Sequence, residues 1–183
     1  MSGLVLILGG ARSGKSAYAE SLAAESSKVV YFATAEPGDA EMTERIERHR
    51  ERRPPGWKTV VTPLGLPKAL RDEARGADVA IVDCLTLYVS NLMGAGFKEE
   101  EVLREIEDLI GACREVSADV VLVSNEVGLG IVPANGLARA FRDVLGRCNR
   151  VLAEEADEVS LMVAGIPLKV KGNAHLDSRD GGR

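Results

Sequence analysis

Aromatic side chains are scarce: three Phe, three Tyr and one Trp make up 4% of the 183 residues. Proteins that hold single strands of nucleic acid stack bases on aromatic rings above a basic groove. With so few rings and a formal net charge of −5, no nucleic-acid partner is expected, and only a local basic patch stays open. Cysteine is equally sparse. Cys84, Cys113 and Cys148 are odd in number, far apart and without a Cys-x-x-Cys pair. They build neither a disulfide framework nor a zinc signature and read as small apolar filler suited to a reducing compartment. No run approaches the roughly 20 apolar residues of a membrane-spanning helix, so no membrane span is expected. Met1-Ser2-Gly3 leads straight into an aliphatic run, with neither a basic n-region nor an Ala-x-Ala-like cleavage site. A cytoplasmic location is the expectation.

What is present is ordinary globular material, 45% apolar and 28% charged. A continuous aliphatic run at 4–8 and similar apolar runs at 29–33, 79–82, 120–123 and 159–163 have the character of strands buried on both faces of a parallel sheet. Helical patterns fill the gaps at 15–25, 40–52, 99–116 and 137–155. Weaker signals suggest a strand at 58–61 and helices at 67–74 and 85–93. Strands spaced by helices imply βαβ crossovers and a doubly wound sheet. No repeat or composition shift marks a second domain, so residues 1–171 read as one nucleotide-binding domain. Residues 172–183, polar and glycine-rich, read as a mobile tail.

Gly9-Gly10-Ala11-Arg12-Ser13-Gly14-Lys15-Ser16 fits G-x-x-x-x-G-K-[ST] in full, between an aliphatic strand and a helical pattern. Glycines let the backbone curl so that successive N–H groups face inward and cradle phosphate oxygens. The next helix turns its positive end to the same anion. Lys15 is placed to reach β- and γ-phosphates, and the Ser16 hydroxyl to ligate Mg²⁺. The fold expectation is therefore an α/β P-loop NTPase, a mostly parallel sheet flanked by helices, of RecA-like kind. A second metal ligand belongs at the carboxyl end of another strand, and Asp83 ends the run 79–82 there. The competing reading is that Asp83 only caps the following helix. Thr34 and the pair Asn125-Glu126 also close strand-like runs, so several polar groups are candidates for one crevice.

His49 lies in Arg45-Ile46-Glu47-Arg48-His49-Arg50-Glu51-Arg52-Arg53-Pro54, and His175 falls in the tail. Met42, Ile46 and His49 share one face at i, i+4, i+7 spacing, with Arg45, Arg48 and Arg52 on a neighbouring ridge. One reading is a half-buried histidine beside a solvated basic face. The other is a nucleophile flanked by cations that bind phosphates, in which imidazole attacks an α-phosphate and expels pyrophosphate.

The chain resembles the bifunctional adenosylcobinamide kinase / adenosylcobinamide-phosphate guanylyltransferases of cobalamin biosynthesis. The resemblance is carried by the phosphate loop, by Tyr31-Phe32-Ala33-Thr34, and by Arg45-Ile46-Glu47-Arg48-His49-Arg50 with Arg53-Pro54 and Trp57. A C-terminal block completes it: Ser124-Asn125-Glu126-Val127-Gly128-Leu129-Gly130-Ile131-Val132-Pro133, then Phe141-Arg142-Asp143, Gly146, Asn149 and Ala156-Asp157. The resemblance implies a kinase step on adenosylcobinamide with ATP or GTP. A second step then transfers GMP from GTP to adenosylcobinamide-phosphate through a guanylylated histidine at the position of His49. It further implies Mg²⁺, phosphate neutralisation by Arg50 and Arg53, a nucleotide site lined by Thr34, Ala35 and Glu36, and a homo-oligomer, typically a trimer.

Two readings compete with this one. A plain P-loop small-molecule kinase would leave His49 structural, and a nucleotide-binding switch would turn over no small substrate. The chain lacks the Asn-Lys-x-Asp guanine motif of GTPase switches. It also departs from the family in two places. Arg48 stands before His49 where some members have a second histidine. Trp57-Lys58-Thr59-Val60 is followed by Val61 where members often carry a Glu associated with guanine binding. Val61→Glu is accordingly expected to tighten GTP binding in an equilibrium titration, and an unchanged affinity contradicts that role for the position.

Overall fold

The apolar runs form the centre of a seven-stranded sheet in a computed structural model that describes residues 3–36, 44 and 53–172. The strands are β1 (Leu4–Gly9), β2 (Val29–Ala33), β3 (Lys58–Val61), β4 (Val79–Asp83), β5 (Asp119–Val123), β6 (Glu158–Val163) and β7 (Ile166–Lys171). The described helices are α1 (Lys15–Leu22), α2 (Leu66–Glu73), α3 (Leu85–Gly94), α4 (Glu99–Glu115) and α5 (Gly136–Glu155). Spatial order is β3-β2-β4-β5-β1-β6-β7, parallel throughout except for the antiparallel pair β6–β7. β1 therefore lies between β5 and β6. The chain leaves β1 toward one side of the sheet and later crosses it from β5 to β6, which opens a crevice at the carboxyl ends of the strands.

Alternation along each strand sorts the apolar residues into two layers. Leu4, Leu6, Val30, Phe32, Ala80, Val82, Val120 and Leu122 face the layer packed by α2 to α5. Val5, Ile7, Val29, Tyr31, Val79, Ile81, Val121 and Val123 face α1 through Ala19 and Ala23. Burying one Leu, Ile or Phe contributes about 1.5–3 kcal/mol, so these two layers hold the sheet. Among the described residues no helix is long and apolar enough to cross a membrane.

Helix ends follow local chemistry. Asn135 caps α5 by accepting from Leu137 N–H at 2.8 Å and Ala138 N–H at 3.3 Å. Glu101 reaches back to the N–H of Lys98 at 2.8 Å in front of α4. α1 stops at Leu22, three residues before the expected end. There Ala23, Ala24 and Ser26 donate to carbonyls three residues back, which tightens the last turn out of α geometry.

β7 was not expected. Its exposed face and its Pro167 hide it, and it pairs with β6 through a two-residue turn in which Ala164 and Gly165 both take positive φ, 50° and 86°. The expected helix 40–52 lies outside the described residues except for Glu44, and so does the expected tail from residue 173 onward.

A buried polar network ties β5 to α5. Ser124 Oγ donates to Asn149 Oδ1 at 2.7 Å, and Asn149 Nδ2 donates to the Asn125 carbonyl at 3.0 Å. Asn149 is 5% exposed, so truncating it strands two buried polar groups. Asn149→Ala is expected to cost about 1–3 kcal/mol, seen as a fall in Tm of about 2–4 °C per kcal/mol for a domain of this size. An unchanged melting curve contradicts this.

Candidate functional site

The loop between β1 and α1 is held where it is by its neighbours. Gly9 takes φ 153°, and a Cβ there would stand 2.8 Å from the Met162 carbonyl and 2.7 Å from Ser13 Oγ. A side chain would push the loop off β6. Gly14, at φ 96°, sits at the N-cap of α1 with space for a Cβ only 3.3 Å from Gly165 Cα. On one flank Glu126 N–H donates to the Gly9 carbonyl at 3.0 Å, and on the other Gly165 N–H donates to the Ser13 carbonyl at 3.0 Å. The β6–β7 turn thus braces the loop from the side.

Lys15 is 7% exposed, and its Nζ donates to the Gly10 carbonyl at 2.7 Å. The ammonium is therefore held across the mouth of the loop, at the positive end of α1. Ala11 and Arg12 are exposed, and Ser16 is half-buried in the first turn. Ser13 Oγ is buried with no hydrogen-bond partner among the described residues. An orphaned buried hydroxyl in a phosphate-binding turn is a donor waiting for an acceptor.

Asp83 ends β4. It does not cap α3, whose N-cap is Cys84 without a side-chain cap bond. Instead its Oδ2 accepts from the Tyr31 hydroxyl at 2.6 Å. Arg53 lies with its guanidinium carbon 3.6 Å from the centroid of the Tyr31 ring, and its Nη1 donates to Thr59 Oγ1 at 3.3 Å. Burial, and after it the charge of Asp83, pushes the Cys84 thiol up to about 11, against a small opposing effect of Lys15. Lys15 and Asp83 thus both act on the surroundings of Cys84.

Thr34 is fully buried. Its Oγ1 donates to the Cys84 carbonyl at 2.7 Å and accepts from Cys84 N–H at 2.9 Å. The Asn91 side chain donates to the Thr34 carbonyl at 2.8 Å. The hydroxyl is committed to the fold, and half-buried Ala35 and exposed Glu36 are what the end of β2 offers to the crevice. Asn125 N–H donates to Thr86 Oγ1 at 2.7 Å, which fixes the exit of β5. Val61 closes β3 and is 66% exposed. His49 and Arg50 lie outside the described residues.

Mg²⁺ keeps most of its waters and takes few protein oxygens beside substrate phosphates. The Asp83 carboxylate and the Ser16 hydroxyl are donors of that kind. Among the described residues no group of three or more His, Cys, Asp and Glu gathers around one point. A groove of about 420 Å³ along α5 is lined by Gly128, Arg142, Asp143, Gly146, Arg147 and Arg150. Its arginines Arg142, Arg147 and Arg150 pair with Asp143, Glu99 and Glu154.

Residue-level reading missed Tyr31, Thr86, Cys84 and Asn91 as parts of the site. Only Tyr31 carried a signal: a tyrosine inside a fully buried strand requires a partner for its hydroxyl.

Residues 5–170 match the family described as cobinamide kinase / cobinamide phosphate guanyltransferase. The bifunctional adenosylcobalamin biosynthesis protein CobU of Escherichia coli is 44% identical over 180 residues, covering 92% of this chain and 99% of that protein. The corresponding CobP of Pseudomonas aeruginosa is 46% identical over 168 residues, covering 91% and 96%. Among solved structures, a type III secretion ATPase superposes with TM-score 0.56 at 11% identity, covering 95% of this chain and 60% of that one. The RadB recombinase does so with TM-score 0.53 at 12% identity, covering 87% and 73%. These distant structural likenesses bear on the fold alone, which is that of a P-loop NTPase. The match along nearly the whole length, with relatives well above 40% identity, shows that the chain belongs to the cobinamide kinase / cobinamide phosphate guanyltransferase family.

Proposed function

We propose that this chain catalyses two successive transfers on one corrinoid substrate. Adenosylcobinamide is first phosphorylated on its aminopropanol hydroxyl by ATP or GTP. GMP then passes from GTP to adenosylcobinamide-phosphate, giving adenosylcobinamide-GDP and pyrophosphate. The observation that carries the reading is the family match over residues 5–170 together with the braced, lysine-bearing phosphate loop.

In this reading the loop N–H groups and the Ser13 hydroxyl take phosphate oxygens, and Lys15 exchanges the Gly10 carbonyl for β- and γ-oxygens. Ser16 and Asp83 hold Mg²⁺, which when bound offsets charge on the transferring phosphates. Ala35 and Glu36 border the nucleotide, with Thr34 fixing the strand end behind them. In the second step an imidazole nitrogen of His49 attacks the α-phosphorus, the bond to the β-phosphate oxygen breaks, and pyrophosphate leaves. The phosphate of the corrinoid then attacks the phosphoramidate and returns the imidazole. Arg50 and Arg53 offset the charge that develops on the phosphoryl oxygens.

The enzyme is proposed to work in the cytoplasm, in keeping with its reduced cysteines, and as a homo-oligomer, a trimer by family resemblance. Exposed Ile166, Leu168 and Val170 on β7, Leu129, Ile131 and Val132 ahead of α5, and Leu137 in its first turn supply apolar surface of the kind that assembly covers. A monomer at every concentration in sedimentation equilibrium contradicts the oligomer.

The histidine step is tested with Mg²⁺ and GTP labelled on the α-phosphate, comparing wild type with His49→Ala. Acid-labile, base-stable label on the wild type that is absent from the variant is the expected result, since a phosphoramidate has that stability. No label on either protein, with GTP binding intact, overturns the guanylyl-histidine and leaves a plain kinase.

A further inference from the structure

Tyr31 occupies an expensive position for a phenol. It lies in the middle of β2 at 1% exposure, in the apolar layer between the sheet and α1. A Phe would fill almost the same volume without a hydroxyl to desolvate. The hydroxyl has one use: it donates to Asp83 Oδ2 at 2.6 Å. Register explains the reach. Tyr31 stands opposite Ile81, and Ala33 stands opposite Asp83, so the side chain leans one pleat along the strands toward their carboxyl ends. An ionised carboxylate has no proton to give, so Tyr31 is the donor in this bond. A hydrogen bond to an ionised acceptor is about twice as strong as a neutral one.

The ring is gripped on its face as well. Arg53 stacks over it at 3.6 Å, within the range of a cation–π contact. That guanidinium is anchored to Thr59 on β3, and its Nε is buried without a hydrogen-bond partner among the described residues. Tyr31 therefore links the carboxylate that ends β4 to a cation four positions after His49 in the sequence.

We propose that Tyr31 is a positioning residue for the divalent cation. It locks the Asp83 carboxylate by one oxygen, Oδ2, so that Oδ1 is presented to the cation or to one of its waters. Arg53, seated on the ring, keeps the phenol in that rotamer. This inference rests on reading Asp83 as a metal-site residue. Groups that orient a metal-site carboxylate typically change metal affinity by about 10–100-fold when removed.

The test uses Mn²⁺ as a spectroscopic stand-in and a non-hydrolysable GTP analogue. Bound Mn²⁺ is counted by electron paramagnetic resonance on wild type, Tyr31→Phe and Asp83→Asn. Affinity of the analogue without divalent cation is measured alongside. Asp83→Asn is expected to weaken Mn²⁺ binding strongly and Tyr31→Phe by about tenfold, both with wild-type affinity for the metal-free analogue. That last readout shows that the phosphate loop is still formed. A purely structural Tyr31 would lower the melting temperature and leave Mn²⁺ affinity unchanged. Wild-type Mn²⁺ affinity in Tyr31→Phe beside a weakened Asp83→Asn overturns the positioning role alone. Wild-type affinity in Asp83→Asn overturns the metal reading of Asp83, and the role of Tyr31 with it.

Discussion

The arrangement depends on a short backbone loop being unable to move sideways. β1 sits between β5 and β6, and the loop that leaves it is tied to both. Glu126 N–H holds the Gly9 carbonyl from the β5 side, and Gly165 N–H holds the Ser13 carbonyl from the β6–β7 side. Gly9 admits no side chain because the Met162 carbonyl occupies the space. With its flanks fixed, the loop keeps a buried ammonium, Lys15, against its own Gly10 carbonyl. Such a charge is costly away from water unless it has partners. The structure is therefore poised to accept an anion whose oxygens replace that carbonyl.

The two apolar layers determine what else reaches the same edge. Asp83 belongs by alternation to the α1 face, the side on which Lys15 and Ser16 begin their helix. Thr34 belongs to the opposite register and spends its hydroxyl on both sides of Cys84. One strand end thus contributes a carboxylate, and its neighbour contributes a clamp that fixes the backbone around it. The same division recurs at β5, where Asn149 and Thr86 fix the backbone of Asn125. Polar groups at this edge divide into those facing the crevice and those that hold them.

Local signals carried most of the architecture. Five mostly apolar runs became the five inner strands because a strand covered on both faces has few polar positions, here Tyr31 and Ser160. The phosphate loop was legible as a motif because its backbone conformation demands glycine at fixed offsets. β7 was not legible. Ile166, Leu168 and Val170 do alternate, but their side chains are exposed, so the pattern marks an edge strand with no buried face to confirm it. The end of α1 was overextended because 23–25 have helix-forming residues that the chain turns away from to enter β2. At the site, the bond from Tyr31 to Asp83 spans 52 positions, and no local spacing encodes it. It follows from strand order and register, which single segments do not specify.

The central claim is that one phosphate loop serves both transfers. Lys15→Ala measured in parallel on the two half-reactions tests it most directly. Phosphorylation of adenosylcobinamide and GMP transfer to adenosylcobinamide-phosphate would be followed separately in the same preparation. The account predicts that both rates fall together by orders of magnitude, because both transfers require the triphosphate seated against that ammonium. Retention of GMP transfer with loss of phosphorylation would contradict it and require a second nucleotide site.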